Sequence, residues 1–133
     1  IEYAQALVDG MRLDDAERVL EDIPKADHDA AYEKVTAQIK LKKEAARSPE
    51  LDALELELER NLDDLEVRVK LAVQYTSVGQ HRKALEALIF VLEKDVGYGN
   101  GATKKMFLDT IASLGKADPL AAEFQRKLFS LLY

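Results

Sequence analysis

The sequence predicts an all-α protein built from about four stacked helical hairpins, and three observations support this fold class. Ala, Leu, Glu and Lys dominate, while the chain has only six glycines and three prolines. Apolar residues recur at the three- to four-residue spacing of helices. Two stretches of the chain also repeat the same order of small and large apolar residues. We therefore expect eight helices and no strand.

The first hairpin is predicted before Pro24. Its first helix covers residues 2–9 and ends at Gly10, because glycine interrupts a helical pattern. Asp14 and Glu17 have the spacing of a capping box, which predicts that Asp14 caps the second helix. That helix ends where the proline cannot continue it.

A second hairpin is predicted over 28–62, although it lacks the residues that mark the other copies. Residues 28–47 carry apolar side chains at helical spacing. Ser48 followed by Pro49 is typical of a helix cap and the first helical residue. The alternation in ELELE (55–59) could also suggest a strand, but its length, its Leu and Glu content and the Ser-Pro start favour a helix.

The third hairpin, over 64–94, keeps the repeat pattern best. Asp63 and Glu66 form another capping box before its first helix, and Gly79 marks the turn to its second.

A glycine-rich loop leads to the C-terminal hairpin, over 100–133. Asn100 is the predicted cap of its first helix, and Gly115 is the predicted end. Asp118 followed by Pro119 repeats the cap-and-proline signal at the start of the last helix.

The repeat has a defined period. LAVQYTSVGQHRKALEAL (71–88) and YAQALVDGMRLDDAERVL (3–20) match at four apolar positions, each time 68 residues apart. This offset is twice the roughly 34 residues of a tetratricopeptide helix–turn–helix unit, so we predict a tetratricopeptide-like α-solenoid. Met11 takes the turn position that Gly79 holds in the later copy. A generic antiparallel helical bundle is the alternative.

Composition excludes several classes of function. The chain has no cysteine, which excludes disulfides, thiolate catalysis and Cys-zinc sites. Its net charge of −6 argues against a general nucleic-acid binder. No apolar run is long enough for a membrane span, and no signal peptide is visible. We find no catalytic constellation and no cofactor motif, so this part of the chain is predicted not to be an enzyme.

Charged residues are mostly expected on solvated faces. Residues 50–66 carry eight acids, which either form an acidic groove for basic peptides or simply cover a solvated helix. His28 and His81 have no partner at metal-ligand spacing and are expected at the surface. Lys104 and Lys105 lie in the first turn of a helix, where the helix dipole disfavours cations. They are either a tolerated surface pair or a contact for an acidic partner.

The chain ends in RKLFSLLY (126–133), a helix that is apolar on nearly all sides. Such a helix needs cover on more than one face. These side chains either pack on the preceding hairpin or form a hook for another protein. We expect protein contacts through eight residues: Lys104, Lys105, Arg126, Lys127, Phe129, Leu131, Leu132 and Tyr133.

The C-terminal third carries a family resemblance. Its motifs are the glycine loop, Lys105-x-Phe107, Leu-Gly at 114–115, Asp-Pro-Leu at 118–120, Arg-Lys at 126–127 and the final Leu-Leu-Tyr. Together with AVQYTSVGQHRKALEAL, they resemble the C-terminal region of the bacterial thioredoxin-like co-chaperones, the YbbN or chaperedoxin family. The likeness is specific from about residue 63 onward.

This resemblance implies a cytoplasmic holdase or co-chaperone that binds non-native client proteins and the chaperonin GroEL. It also implies that residues 1–133 form one helical domain at the end of a longer chain. A thioredoxin-like domain, which could be redox-active, would precede Ile1. The alternative is a structural or dimerisation scaffold for that upstream domain. Neither reading implies a cofactor, a nucleic acid or a membrane partner.

Overall fold

A computed structural model describes all 133 residues as eight α-helices joined by short turns, with no β-strand. The helices are α1 (Glu2–Asp9), α2 (Leu13–Glu21), α3 (Ala30–Ala46), α4 (Pro49–Arg60), α5 (Leu65–Ser77), α6 (His81–Lys94), α7 (Ala102–Leu114) and α8 (Pro119–Leu132). Short 3-10 turns precede α3 and α7. The prediction of an all-α solenoid with eight helices is confirmed.

Two predicted helix caps are confirmed by hydrogen bonds. Ser48 Oγ accepts from the backbone N–H of Leu51 at 3.1 Å, at the start of α4. Asp118 Oδ1 accepts from the backbone N–H groups of Leu120 and Ala121 at 2.8 and 3.3 Å, at the start of α8. Each bond satisfies a donor that the first helical turn cannot pair internally.

Two other predicted caps are wrong by one residue. Asp64, not Asp63, caps α5, and its Oδ1 accepts from Val67 N–H at 3.2 Å. Gly101 rather than Asn100 stands at the N-cap of α7, without a side-chain bond. Asp63 and Asp64 offer the same cap chemistry, and the path of the chain decided between them. Asn100 has left-handed backbone inside the 3-10 turn before α7, one residue before the cap position.

The apolar interior is divided into separate clusters. One lies within α1, α2 and α3: Ala4, Leu7, Val8, Leu13, Ala16, Leu20, Val35 and Ile39. A larger one extends from α5 to α8 and has Phe107 and Phe124 at its centre. A small one joins α4 to α5: Leu51, Leu54, Val67 and Leu71. We call α1–α3 the N-terminal unit and α4–α8 the C-terminal unit, since each has its own apolar core.

The two helices of the expected hairpin over 28–62 pack on different neighbours, which corrects that prediction. α3 packs on α1 and α2, whereas α4 packs on α5. Ile39 of α3 is therefore in the first cluster, and Leu54 of α4 is in the third. The backbone is extended at Arg47 and Ser48, which directs α4 away from α3.

The two units meet at their turns. Met11 and Gly79 both have left-handed backbone, with φ of 58° and 82°, so the predicted equivalence of these turn positions is confirmed. The N–H of Leu13 donates to the carbonyl of Gly79 at 2.9 Å. A Cβ at position 79 would lie 2.1 Å from the carbonyl oxygen of Met11, so this close approach requires glycine.

Candidate protein-interaction site

A network of ion pairs joins the N-terminal unit to the C-terminal unit. Arg12, just before α2, donates to Asp118 at 2.5 Å and to Asp15 at 2.5 Å. Arg82 at the start of α6 pairs with Glu123 of α8 at 2.9 Å and lies 3.5 Å from Asp15. The starts of α2, α6 and α8 therefore meet in a polar layer. No motif in the sequence predicts this contact.

Two acids of this network, Asp118 and Glu123, have lowered pKa values. Burial opposes ionisation of Asp118, but the hydrogen bond and the charge of Arg12 outweigh it and lower its pKa. The hydrogen bond from Arg82 lowers the pKa of Glu123. Since each acid is matched by a guanidinium, the arrangement indicates a structural joint rather than an acid–base catalytic pair.

Asp14 caps a helix other than its own, which corrects the predicted capping box. The helix that contains it begins at Leu13, so Asp14 lies inside α2. Its Oδ2 accepts from the backbone N–H of Lys83, in the first turn of α6, at 3.0 Å. Burial raises the pKa of Asp14 to about 6. Sequence reasoning missed this role because donor and acceptor are 69 residues apart.

A groove of about 450 Å³ lies between α2 and α3 and reaches the start of α6; we call it the α2–α3 groove. Its floor is apolar: Leu20, Tyr32 and Ile39. Its α2 wall carries acids and its α3 wall mainly bases: Glu17 and Glu21 against Lys40, Lys43, Glu44 and Arg47. One ion pair crosses it, from Lys43 Nζ to Glu17 Oε1 at 2.5 Å. Gln80 borders the groove, is only 3% exposed, and its Oε1 accepts no hydrogen bond.

The end of α8 presents an exposed apolar patch. We call Phe129, Leu132 and Tyr133 the α8 patch; their exposed fractions are 65%, 36% and 89%. The rings of Phe129 and Tyr133 contact each other, with centroids 4.8 Å apart. The three residues line a shallow cleft together with Arg126. Arg126 forms no ion pair, so its charge is available beside the patch.

The structure separates the other predicted contact residues from this patch. Leu131 is half-buried and packs on the large apolar cluster, so it supports the fold. Lys127 is paired with Glu123 at 3.3 Å and lies over the ring of Phe124 at 4.4 Å.

Lys104 and Lys105 are at the start of α7, and neither lines the cleft at the end of α8. Lys104 is half-buried, whereas Lys105 is exposed and borders a different cleft, with Thr76 and Asp109.

The two histidines lie apart from one another. His28 is exposed and stacks on Tyr32 at 3.8 Å, with Nε2 3.0 Å from the carbonyl oxygen of Ile23. His81 is half-buried rather than at the surface as predicted, and burial lowers its pKa. The chain has no group of three or more His, Asp or Glu arranged to hold a metal ion. None of its helices has the length and apolar character needed to cross a membrane.

Comparison with known proteins assigns the fold to a family. The Tetratricopeptide repeat family matches residues 44–133. An uncharacterized protein of Haemophilus influenzae is 37% identical over 131 residues, which are 98% of this chain and 60% of that protein. The chain therefore spans less than two thirds of the length of this relative.

A solved structure agrees with the assignment. It is the crystal structure of a domain of a protein of unknown function from Vibrio parahaemolyticus, and it is 38% identical to this chain. The TM-score is 0.71, and the match covers 98% of this chain and 76% of that one. The family match over more than half of the residues, on an all-α solenoid, shows that this chain belongs to the tetratricopeptide repeat family.

Proposed function

We propose that this domain is the protein-interaction module of a thioredoxin-like co-chaperone, which binds non-native client proteins and docks on the chaperonin GroEL. Tetratricopeptide domains generally bind other proteins, and stacked helical repeats present extended surfaces for this purpose. The finer assignment comes from the resemblance of residues 99–133 to the co-chaperone family. This resemblance implies a domain in the cytoplasm, next to a thioredoxin-like domain.

The α8 patch is the observation that carries the docking proposal. Phe129 and Tyr133 are two of the nine aromatic residues in the chain, and both are exposed at the C-terminal end of α8, Phe129 in its last turn and Tyr133 as its C-cap. Exposed aromatic side chains grouped on a rigid helix are typical of protein contacts. Arg126 beside them would favour an acidic rim on the partner.

The patch can be tested without disturbing the core. Deleting the chain from Leu128 would remove a core side chain that is only 5% exposed, so substitution is the cleaner change. We expect the double variant Phe129→Ser, Tyr133→Ser to lose about tenfold or more in affinity for GroEL, the loss typical of anchor residues. The measurement is titration of immobilised GroEL, with circular dichroism to confirm an unchanged helix content.

A matched control uses two exposed apolar residues elsewhere. Leu56 and Val73 are 51% and 50% exposed. The double variant Leu56→Ser, Val73→Ser should bind GroEL as the wild type does. Equal binding by all three proteins would refute docking through the α8 patch.

The same proteins test the alternative, a dimerisation scaffold. Light scattering would then show a stable wild-type dimer that the patch variant dissociates and the control variant does not. That result, with no binding to GroEL, would replace the docking proposal.

A further inference from the structure

The first half of the chain, α1–α4, and the second half, α5–α8, repeat each other, but their last helices, α4 and α8, lie in different places. Leu20 and Leu88 are 68 residues apart, as are Ile39 and Phe107, so α2 corresponds to α6 and α3 to α7. In the second half, α8 packs against both α6 and α7. In the first half, α4 follows α3 in the chain but packs on α5 instead.

The α2–α3 groove is the counterpart of the seat that α8 occupies. In the second half, the surface on which α8 packs is apolar. It includes Leu85, Ile89 and Ile111, which belong to the same cluster as the buried side chains of α8. Their first-half counterparts, 68 residues earlier, are Glu17, Glu21 and Lys43, which line the groove. The floor keeps its apolar residues, Leu20 and Ile39. The first half thus has the shape of a helix seat with charged walls.

We propose that the α2–α3 groove binds an amphipathic α-helix of a partner protein, in the position that α8 holds in the second half. A helix laid in a groove is recognised by an apolar stripe with charges that match the walls. The stripe would contact Tyr32, which is half-buried, and pack over Leu20 and Ile39, which are only 4% and 3% exposed. One edge of the helix would be basic, toward Glu21, and the other acidic, toward Lys40. This surface is separate from the α8 patch and does not depend on docking to GroEL.

The helix α4 of the same chain is a poor occupant. Leu51 and Leu54, its main apolar side chains, are buried against Val67 and Leu71 of α5. Moving α4 into the groove would expose all four side chains to water. The acids of the α2 wall would repel the acid-rich surface of α4. Asp52 and Glu55 of α4 already pair with the groove-lining Arg47 while α4 is packed on α5, so moving α4 would gain no new ion pair there.

The buried amide of Gln80 supports a polar contact in the groove. An acceptor that is removed from water and has no partner is costly. A shift of the Gln80 side chain toward the groove would let Oε1 accept from a hydroxyl or amide donor on the incoming helix.

The test uses a fluorescein-labelled synthetic helix. It carries the apolar side chains by which α8 packs on the core, Leu120, Phe124 and Leu128, between a row of lysines and a row of glutamates. Thr36 and Ala37 are neighbouring exposed residues of α3, but only Thr36 lines the groove. We expect fluorescence anisotropy to show binding to the wild type. Thr36→Trp should weaken it by about tenfold or more by filling the groove, and Ala37→Trp by less than about twofold.

Charge reversal tests the predicted edges. Lys34 and Lys40 are both exposed on α3, and only Lys40 lines the groove. Lys40→Glu should weaken binding about fivefold, and Lys34→Glu should leave it unchanged. A peptide with lysine in place of the facing glutamates should restore binding to the Lys40→Glu variant.

Three outcomes would overturn the inference. The first is absence of binding, and the second is equal binding by the Thr36→Trp and Ala37→Trp variants. The third comes from a photo-crosslinker at position 36: in the presence of the peptide, it would form a crosslink to α4 of the same molecule or to a second copy of the chain. Loss of GroEL binding by the α8-patch variant would not bear on any of these results.

Discussion

At the residue scale, Gly79 is constrained by two independent features. Its φ of 82° lies in the left-handed region, which disfavours any side chain. Its α-carbon also faces the backbone carbonyl of Met11, in the turn of the other unit. Gly101 has a similar φ of 86° but no atom near the place of a Cβ. Comparing substitutions at Gly79 and Gly101 therefore distinguishes the cost of backbone strain from the cost of steric contact.

We predict that Gly79→Ala destabilises the protein much more than Gly101→Ala. Strain alone should cost about 1–2 kcal/mol at either position. At position 79 the two turns must also move apart, so the total should reach about 3 kcal/mol or more. Urea unfolding of both variants gives the two free energies. Equal losses would mean that the turns do not need to be this close.

At the element scale, α6 is the central helix. It packs on α2, α5, α7 and α8, and contributes Leu85, Leu88 and Leu92 to the large cluster. Its own N-cap residue, Gln80, makes no capping bond. Asp14 of α2 supplies the capping bond instead, because its buried carboxylate accepts from the N–H of Lys83. The start of α6 therefore depends on the packing of α2 against it.

We predict that Asp14→Asn alters the dependence of stability on pH. The pKa of Asp14 is raised from 3.8 to about 6 in the folded protein. The folded state therefore binds this proton more tightly, and the associated stability is present below pH about 4 and lost as pH rises through about 6. Asparagine keeps an acceptor oxygen and cannot ionise. The free energy of unfolding of the variant, relative to that of the wild type, should therefore rise by about 1–3 kcal/mol when the pH is raised from about 4 to about 7.5.

Urea unfolding at the two pH values measures this difference. The lowered pKa values of Asp118 and Glu123 act in the opposite direction, but they are common to both proteins and cancel. Asp109→Asn, at an exposed position, is the control. A difference between Asp14→Asn and the wild type that does not change with pH would contradict the assigned cause.

At the scale of the whole molecule, two apolar units are joined through polar contacts. The two units share no apolar cluster. Arg12 bonds to both Asp15 and Asp118, and Arg82 extends the network to Glu123. The α2–α3 groove lies near this joint, since Lys83 lines the groove and its chain neighbour Arg82 belongs to the network.

We predict that Arg12→Met weakens the joint while each unit stays folded. Asp15 and Asp118 would lose a largely buried guanidinium, at a cost of about 2–4 kcal/mol. Hydrogen exchange should accelerate in α1 and α2 more than in α7. Lys70→Met, which removes an exposed pair with Glu66, should leave both readouts close to the wild type. Uniform acceleration over the whole chain would contradict a joint between two units.

Local features of the sequence determined the helices. Ser48 and Asp118 cap the helices that they precede, because a cap bond joins residues two or three positions apart. The match of Met11 to Gly79 followed from the repeat offset. The α8 patch was expected as one of two possibilities for the last helix.

The tertiary structure determined which residues that are distant in the sequence contact each other. The bond from Lys83 to Asp14, the pair of Arg12 with Asp118, and the packing of α4 on α5 each join elements whose distance depends on how the units stack. A helix with one apolar face can bury it against any neighbour of suitable shape, so periodicity alone does not name the neighbour. For this reason the sequence determined eight helices and their repeat, and only the fold revealed the polar joint and the groove beside it.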